Sequence, residues 1–283
     1  MAHPFLSPEQ ATVLITGCSS GIGRCVAEQL RARGYRVFAT ARRAEDVQQL
    51  QLSGFNAYRL DLTDERSMDE AVHWVLQQTD GQLYALFNNG AYGLPGAVED
   101  ITLQALRAQF ETNVFGTHAL TCRVLPIMRR QGYGRIIQNS SILGFVALKY
   151  RGAYNASKYA LEGLSDTLRL ELLGSDIHVC LIEPGPVISR FRENAAQAFE
   201  RWVAEVPSRH QEAYQRLQST RRSGKPTAFS VPPEAVCRRV VHALESRRPR
   251  IRYPVTFPTY LFAFLKRILP TRIMDRFLSS KLM

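Results

Sequence analysis

A tyrosine and a lysine, Tyr154 and Lys158, stand four positions apart in "AYNASKYALEGL". On a helix this spacing sets both side chains on one face, a turn apart. A free phenol ionises near pH 10, so proton exchange at neutral pH needs help, and a neighbouring ammonium favours the phenolate. A lowering of about two units would amount to roughly 3 kcal/mol. Thirteen residues upstream, "NSSILG" carries Ser141 at the end of an apolar run, where its hydroxyl can hold a substrate's carbonyl oxygen; Ser140 is the alternative. Phenol, ammonium and hydroxyl are together the parts needed to pass a proton to or from an oxygen. Taken alone, Tyr154 and Lys158 would read as an exposed helical pair, so the elements around them must decide.

The second cluster is "TGCSSGIG", with Gly17, Gly21 and Gly23, and with Ser19, Ser20 and Ile22 completing the loop. It follows the β-branched run "TVLIT" and precedes "CVAEQLRARG", whose apolar residues recur at helical steps and stop at Gly34. Glycines in this context let the backbone turn sharply and approach a pyrophosphate, while the helix offers its first N–H groups to the anion. The next strand ends "ATARR": Ala41 stands where an acid would bond the ribose hydroxyl of NAD, and Arg42 and Arg43 follow. An arginine can neutralise a 2′-phosphate, so NADP is the expected nucleotide.

Apolar runs alternate with helical segments along the whole chain. Strands are expected at 12–16, 36–40, 56–60, 83–88, 135–140, 177–183 and 250–255. Alternation of this kind predicts an α/β fold, a doubly wound parallel sheet with helices on both faces. The segment "TLQALRAQFETNVFGTHALTCRVLPIMRRQG" reads as one long helix interrupted late by Pro126 and ended near Gly132, and "SGKPTAFSVPPEAV" as a surface loop entering a helix. With 283 residues, no internal repeat and no linker, one domain over 1–283 is expected.

Composition narrows the function classes. The chain is 45% apolar and 22% charged, which fits a folded globular protein. Its five cysteines show no paired short spacing, so neither a metal site nor a disulfide framework is expected, and a reducing cytoplasm fits best. His118 and His178 lack ligand spacing, and Trp74 reads as core. The opening residues carry no basic stretch followed by a long apolar one, which argues against a secretory signal. The longest uncharged apolar run, 253–265, has 13 residues, short of the roughly 20 a spanning helix needs. The net charge of +11 is confined to the last third, where 201–283 holds 17 basic against 5 acidic residues. That distribution argues against a nucleic-acid coat and for contact of the C-terminal region with an anionic surface or ligand, or simply for a solvated basic face.

The set "TGCSSGIG", "NNGAYG", "NVFG", the serine of "SSILG" and "YNASK" resembles the short-chain dehydrogenase/reductase family in its shorter, single-domain branch, over about 11–190. The resemblance implies a Rossmann fold and hydride transfer between a nicotinamide nucleotide and a carbonyl. It implies Tyr154 as acid/base and Lys158 as its partner, which also contacts the nicotinamide ribose. Ser141 matches the substrate-orienting serine, and Asn113 of "NVFG" the asparagine that holds a water in the proton relay. Asn88 of "NNGAYG" matches a residue supporting the central sheet and the cofactor, with Gly90-Ala91 where the family usually has alanine then glycine. Asp61 of "RLDLTD", followed by Leu62, matches the acid near the adenine ring. Pro184, Gly185 and Val187 of "EPGPVIS" match the turn flanking the nicotinamide, and Ser189 stands where threonine is usual. The resemblance also implies a homodimer or homotetramer.

Beyond residue 190 the family varies, and this region is expected to form the substrate lid. Phe257, Leu261, Phe264, Leu265 and Ile268 recur at helical steps, then Ile273 and Phe277, interleaved with Lys266, Arg267, Arg272, Arg276 and Lys281. This reads as an amphipathic cover over an apolar pocket, with a helix lying on an anionic membrane as the second reading. The expected substrate is a lipophilic carbonyl or alcohol: an aldehyde, or in the alternative a retinol or hydroxysteroid. A catalytically silent NADP-binding sensor on the same fold is the reading from another class.

Overall fold

The computed structural model describes residues 7–222 and 227–279. Strands form at all seven expected places: β1 (Thr12–Ile15), β2 (Arg36–Ala41), β3 (Asn56–Arg59), β4 (Ala85–Asn88), β5 (Tyr133–Asn139), β6 (Asp176–Glu183) and β7 (Arg252–Pro254). They join in one sheet of order β3-β2-β1-β4-β5-β6-β7, with every pair parallel. β1 and β4 at its centre are buried along their whole length, which is why they read as unbroken apolar runs rather than alternating ones.

Helices cover both faces. On one side lie α1 (Gly21–Ala32), α2 (Ala44–Leu52) and, from far along the chain, the helix Glu234–Glu245; on the other lie α3 (Glu65–Gln78) and the long segment after β4. Alternation along β1 decides the partners: Val13 and Ile15 pack toward α1, and Leu14 toward α3. Fully burying a side chain such as Leu30 or Leu86 contributes about 1.5–3 kcal/mol each. The strand order reverses between β1 and β4, and this is the point in an open α/β sheet where a crevice opens beyond the carboxyl ends of the strands.

The segment after β4 departs from expectation. It runs as α4 (Leu103–Phe110), a π-helical stretch Glu111–Gly116, and α5 (Thr117–Gln131). The change of winding falls there and not at Pro126, which sits within α5 on its exposed side. Its location follows from packing: a Cβ on Gly116 would overlap the carbonyl oxygen of Leu62, so the helix crosses the backbone after β3 at the closest approach a glycine permits. Gly132 ends α5 at φ +84°, its N–H bonded to Met128 O at 3.0 Å.

The remaining helices are α6 (Gly152–Glu171), α7 (Phe191–Trp202), α8 (Gln211–Arg222), α9 (Glu234–Glu245, already placed beside α1), α10 (Phe257–Ile268) and α11 (Thr271–Ser279). The last third is therefore only partly a cover. α9 and β7 belong to the body of the fold, while α7 and α8 pack around Leu94 and Ala153, and α10 and α11 around Ile142 and Tyr154. Arg252 of β7 binds three carboxylates: Glu162 at 3.0 Å and Asp166 at 2.7 Å on α6, and Glu183 at 3.2 Å on β6. Residues 223–226 of the expected surface loop and Lys281 lie outside the described residues. Among the described residues no helix is long and apolar enough to cross a membrane.

Candidate active site

The glycine loop lies at the end of β1. Gly17 and Gly21 take φ of +70° and +58°, a region that side chains with a Cβ rarely occupy. A Cβ on Gly23 would overlap Gly17 O, so the first turn of α1 can lie against the loop only as glycine. Ser20 caps α1 in extended conformation without a side-chain hydrogen bond, which leaves the helix's first N–H groups for an anion. Ser19 is exposed on the loop, and Ile22 packs inward on the core. The far wall is Ser189, whose Cβ would stand 3.0 Å from a Cβ on Gly21. The loop is a cradle that side chains would fill, and it fits a nucleotide's phosphates.

A polar chain fixes this loop to the neighbouring strands. Thr16 Oγ1 accepts from Asn89 N at 2.9 Å and Gly90 N at 2.7 Å, and Asn89 Nδ2 donates to Thr16 O at 2.9 Å and Gly17 O at 3.2 Å. Asn139 Nδ2, at the end of β5, donates to Asn89 Oδ1 at 2.9 Å. The first asparagine of the pair, Asn88, faces the other way and donates to Thr121 of α5 at 3.0 Å, which suits support of the sheet.

Beyond β2 and β3 lie the residues expected at the adenosine end. Arg42 is exposed, whereas Arg43 is engaged by Asp46 at 2.8 and 3.0 Å. Asp61 Oδ1 accepts from Thr63 N at 3.0 Å and Thr63 Oγ1 at 2.8 Å, a local turn. Leu62 packs on Gly90, where a Cβ would stand 3.1 Å from Leu62 Cδ1.

Tyr154 and Lys158 occupy the first two turns of α6, 8% and 2% exposed. Lys158 Nζ donates to Asn139 O at 2.7 Å and lies 5.8 Å from the centre of the Tyr154 ring. Asn139 thus joins the lysine to the glycine loop. The Ser141 hydroxyl accepts from Leu143 N at 3.1 Å and donates to Pro184 O at 3.5 Å, and it stands near enough to the Tyr154 phenol to favour its ionised form. Ser140 Oγ lies buried beside Gly144 on the Glu162 side, without a hydrogen-bond partner among the described residues, so Ser141 is the serine at the phenol. Asn113, in the π-helical stretch, donates to Tyr92 O at 2.9 Å and Ser157 Oγ at 3.1 Å and accepts from Tyr92 N at 3.2 Å. Its side chain braces the loop after β4 against α6.

Electrostatics correct one expectation. Burial pushes the Tyr154 phenol up to about 12, opposed only by the nearby Ser141 hydroxyl, so Lys158 does not lower it among the protein's own groups. The same burial brings Lys158 down to about 8, with Glu162 opposing. Desolvation dominates at both buried groups, and the phenol stays protonated at neutral pH.

The turn after β6 closes the site. Pro184 O also accepts from Ile142 N at 2.9 Å, and a Cβ on Gly185 would overlap Thr256 Oγ1. Val187 bridges Val231, and Ser189 Oγ donates to Val187 O at 3.5 Å. Phe191 lays its ring 5.4 Å from that of Tyr154, and a small cavity beside them is lined by Gly93, Leu143 and Ala195. Thr16, Asn89, Asn139 and Phe191 were not anticipated. The doubled asparagine of "NNG" was a usable signal for Asn89; the others had none.

Residues 11–199 match the profile of a family described as short chain dehydrogenase. The chain is 43% identical over 271 residues to the uncharacterized oxidoreductase YbbO of Escherichia coli K12, covering 96% of this chain and 95% of the relative. It is 34% identical over 250 residues to human retinol dehydrogenase 8, covering 85% and 80%. A crystal structure of a short-chain dehydrogenase from Streptomyces avermitilis superposes with a TM-score of 0.75 at 30% identity, over 91% of this chain and 93% of that one. Profile, relatives and the arrangement of glycine loop, serine, tyrosine and lysine agree: the chain belongs to the short-chain dehydrogenase/reductase family of oxidoreductases.

Proposed function

We propose that this protein is an NADP(H)-dependent oxidoreductase that interconverts a lipophilic carbonyl compound and its alcohol, with Tyr154 as acid/base. The observation that carries the reading is the continuous polar path from the glycine loop through Asn89 and Asn139 to Lys158, with Tyr154 and Ser141 beside it. Nucleotide cradle and proton-transfer groups are thereby one construction.

The nicotinamide nucleotide would supply hydride to, or take it from, the carbonyl carbon. Gly17, Gly21, Gly23 and the first turn of α1 would hold its phosphates, with Ser19, Ser20 and Ile22 shaping the loop. Ser141 orients the substrate oxygen, and Tyr154, protonated at neutral pH, donates its proton to that oxygen in reduction. Lys158, anchored on Asn139, holds positive charge near the phenol as it gives up the proton. Arg42 is the residue proposed to meet a 2′-phosphate, ahead of Arg43, whose guanidinium is already engaged by Asp46.

The lipophilic class rests on the apolar surroundings of the phenol, where Leu143, Phe191, Phe262 and Met274 gather. A relative named as a retinol dehydrogenase supports a large apolar alcohol or aldehyde. All four residues of the proton-transfer set are present, which disfavours a silent nucleotide sensor.

The experiment is a panel of aldehydes, ketones and alcohols of increasing apolar size, with NADPH oxidation or NADP reduction followed by absorbance. The reading expects turnover that rises with apolar size and falls about 10²–10⁴-fold in Tyr154→Phe. Near-normal turnover by that variant would refute the assignment.

A further inference from the structure

Helix α10 carries two apolar faces. Phe262, 9% exposed, together with Leu265 and Leu269, packs onto Ile142, Leu143 and Tyr154, and Lys266 Nζ fastens the helix by donating to Phe145 O at 2.6 Å. Of the residues expected to form the cover, only Leu265 lies on this face; Phe262 and Leu269 make the rest of it. Phe257, Tyr260, Leu261, Phe264 and Ile268 point elsewhere: Phe257, Phe264 and Ile268 are 61%, 60% and 57% exposed. At 3.6 residues per turn these five fall within a stripe about 100° wide, roughly opposite the buried face. Phe229 extends the stripe, its ring 5.5 Å from that of Phe257 and itself exposed.

The charge beside this stripe is mainly basic, with Asp275 of α11 the one acid on these two helices. Arg267 flanks it, and Arg272 and Arg276 of α11 stand exposed next to Ile273. None of the three arginines forms an ion pair among the described residues, whereas many arginines elsewhere, such as Arg24, Arg66 and Arg123, are paired. The stripe expected to cover the pocket therefore lies, apart from Leu265, on the outer face of the helix, opposite the face that packs on Tyr154.

We propose that the outer face of α10, with the arginines of α10 and α11, is a docking surface for an anionic lipid bilayer. Aromatic and aliphatic side chains on one stripe with unpaired cations alongside suit insertion of the stripe at the headgroup level while the arginines meet lipid phosphates. A second copy of the chain is a poorer occupant. A two-fold contact would set this arginine cluster against its own image. Because the inner face of the same helix covers Tyr154, docking places the cover of the site against the reservoir of lipophilic molecules. The docking stands independently of the reading of the substrate.

The test is flotation of the full-length protein with vesicles of phosphatidylcholine alone and of phosphatidylcholine mixed with phosphatidylglycerol, with sedimentation measured in parallel. Flotation is expected only with the mixed vesicles and is lost at high salt. Phe264→Ser with Ile268→Ser is expected to abolish it. Reversing Arg272 or Arg276 to Glu is expected to weaken binding about fivefold or more each. Turnover of a small water-soluble aldehyde and the thermal midpoint should be unchanged in every variant. If the double serine variant melts early, Phe264→Ser alone takes its place. Absence of flotation, equal flotation of wild type and variants, or variants that lose self-association while keeping vesicle binding would each overturn the proposal.

Discussion

Lys158 does not reach its position by its helix alone: its Nζ donates at 2.7 Å to the backbone carbonyl of Asn139, at the end of β5. That contact makes the ammonium part of the sheet. The same asparagine's side chain reaches Asn89 at 2.9 Å, and Asn89 holds Gly17 O. A displacement at the glycine loop is thus felt at the lysine through three side chains.

Asn139→Ala keeps the carbonyl that holds Lys158 and removes only the link to Asn89. We expect KM for the nucleotide to rise about tenfold, in line with the loss of one buried hydrogen bond, with kcat changed far less. Initial-rate kinetics at saturating carbonyl substrate check this. An equal loss in kcat would show that the link serves the chemistry instead.

Lys158 is pulled down to about 8 by burial, from its ordinary 10.5. Between these values the unfolded chain binds the proton more tightly, so this group makes stability rise with pH from about 8 toward 10.5 and sets a full desolvation penalty below 8. Thermal melts from neutral to alkaline pH should therefore show Lys158→Met stabilised relative to wild type near pH 7, with the difference shrinking as pH climbs. Carbonyl reduction by wild type should decline above about pH 8 as the ammonium is lost.

Glu183 shows the opposite sign. Burial, with Glu162 nearby, outweighs the pull of Arg252 at 3.2 Å and raises its carboxyl from 4.5 to about 8, so its contribution makes stability fall as pH rises through that interval. Glu183→Gln, which keeps the shape and removes the titration, should melt higher than wild type above pH 8 and show a flatter profile below it.

Arg42 is exposed and Arg43 is paired with Asp46, so nucleotide preference should respond unequally to the two. Arg42→Asp is expected to shift the ratio of kcat/KM for NADP over NAD at least about tenfold toward NAD, and Arg43→Ala much less. Steady-state kinetics with both nucleotides decide it, and an unchanged ratio in Arg42→Asp would count against the assignment.

Gly23→Ala forces a methyl into Gly17 O. Strain of this kind costs about 1–3 kcal/mol, and here it falls on the loop itself. Nucleotide affinity, read by fluorescence titration, should drop more sharply than the melting temperature.

The seven strands were legible because central parallel strands are buried on both faces and leave continuous apolar runs, as in "TVLI" and "ALFN". The glycine loop and the serine, tyrosine and lysine were legible because each is a residue type at a fixed offset from a strand or helix end. Three features were not. The π-helical stretch at Asn113 follows from Gly116 meeting Leu62, a contact between segments far apart in sequence. The role of Asn139 depends on where β5 stops against β4, a matter of register that no local pattern encodes. The high phenol value comes from burial, which spacing on one helix cannot report. The C-terminal stripe was visible, but a helical repeat alone did not reveal that Phe262 and Phe264 serve opposite faces.

Arg252 grips Glu162 and Asp166 on the helix that bears Tyr154 and Lys158, and it does so from the last strand of the sheet. During translation that helix emerges long before the residue that clamps it. The nascent chain can collapse around its early strands, as domains do while being made, yet its working geometry is locked only once residue 252 has cleared the ribosome. A message cut short before that codon would yield the glycine loop and early strands with α6 unfastened.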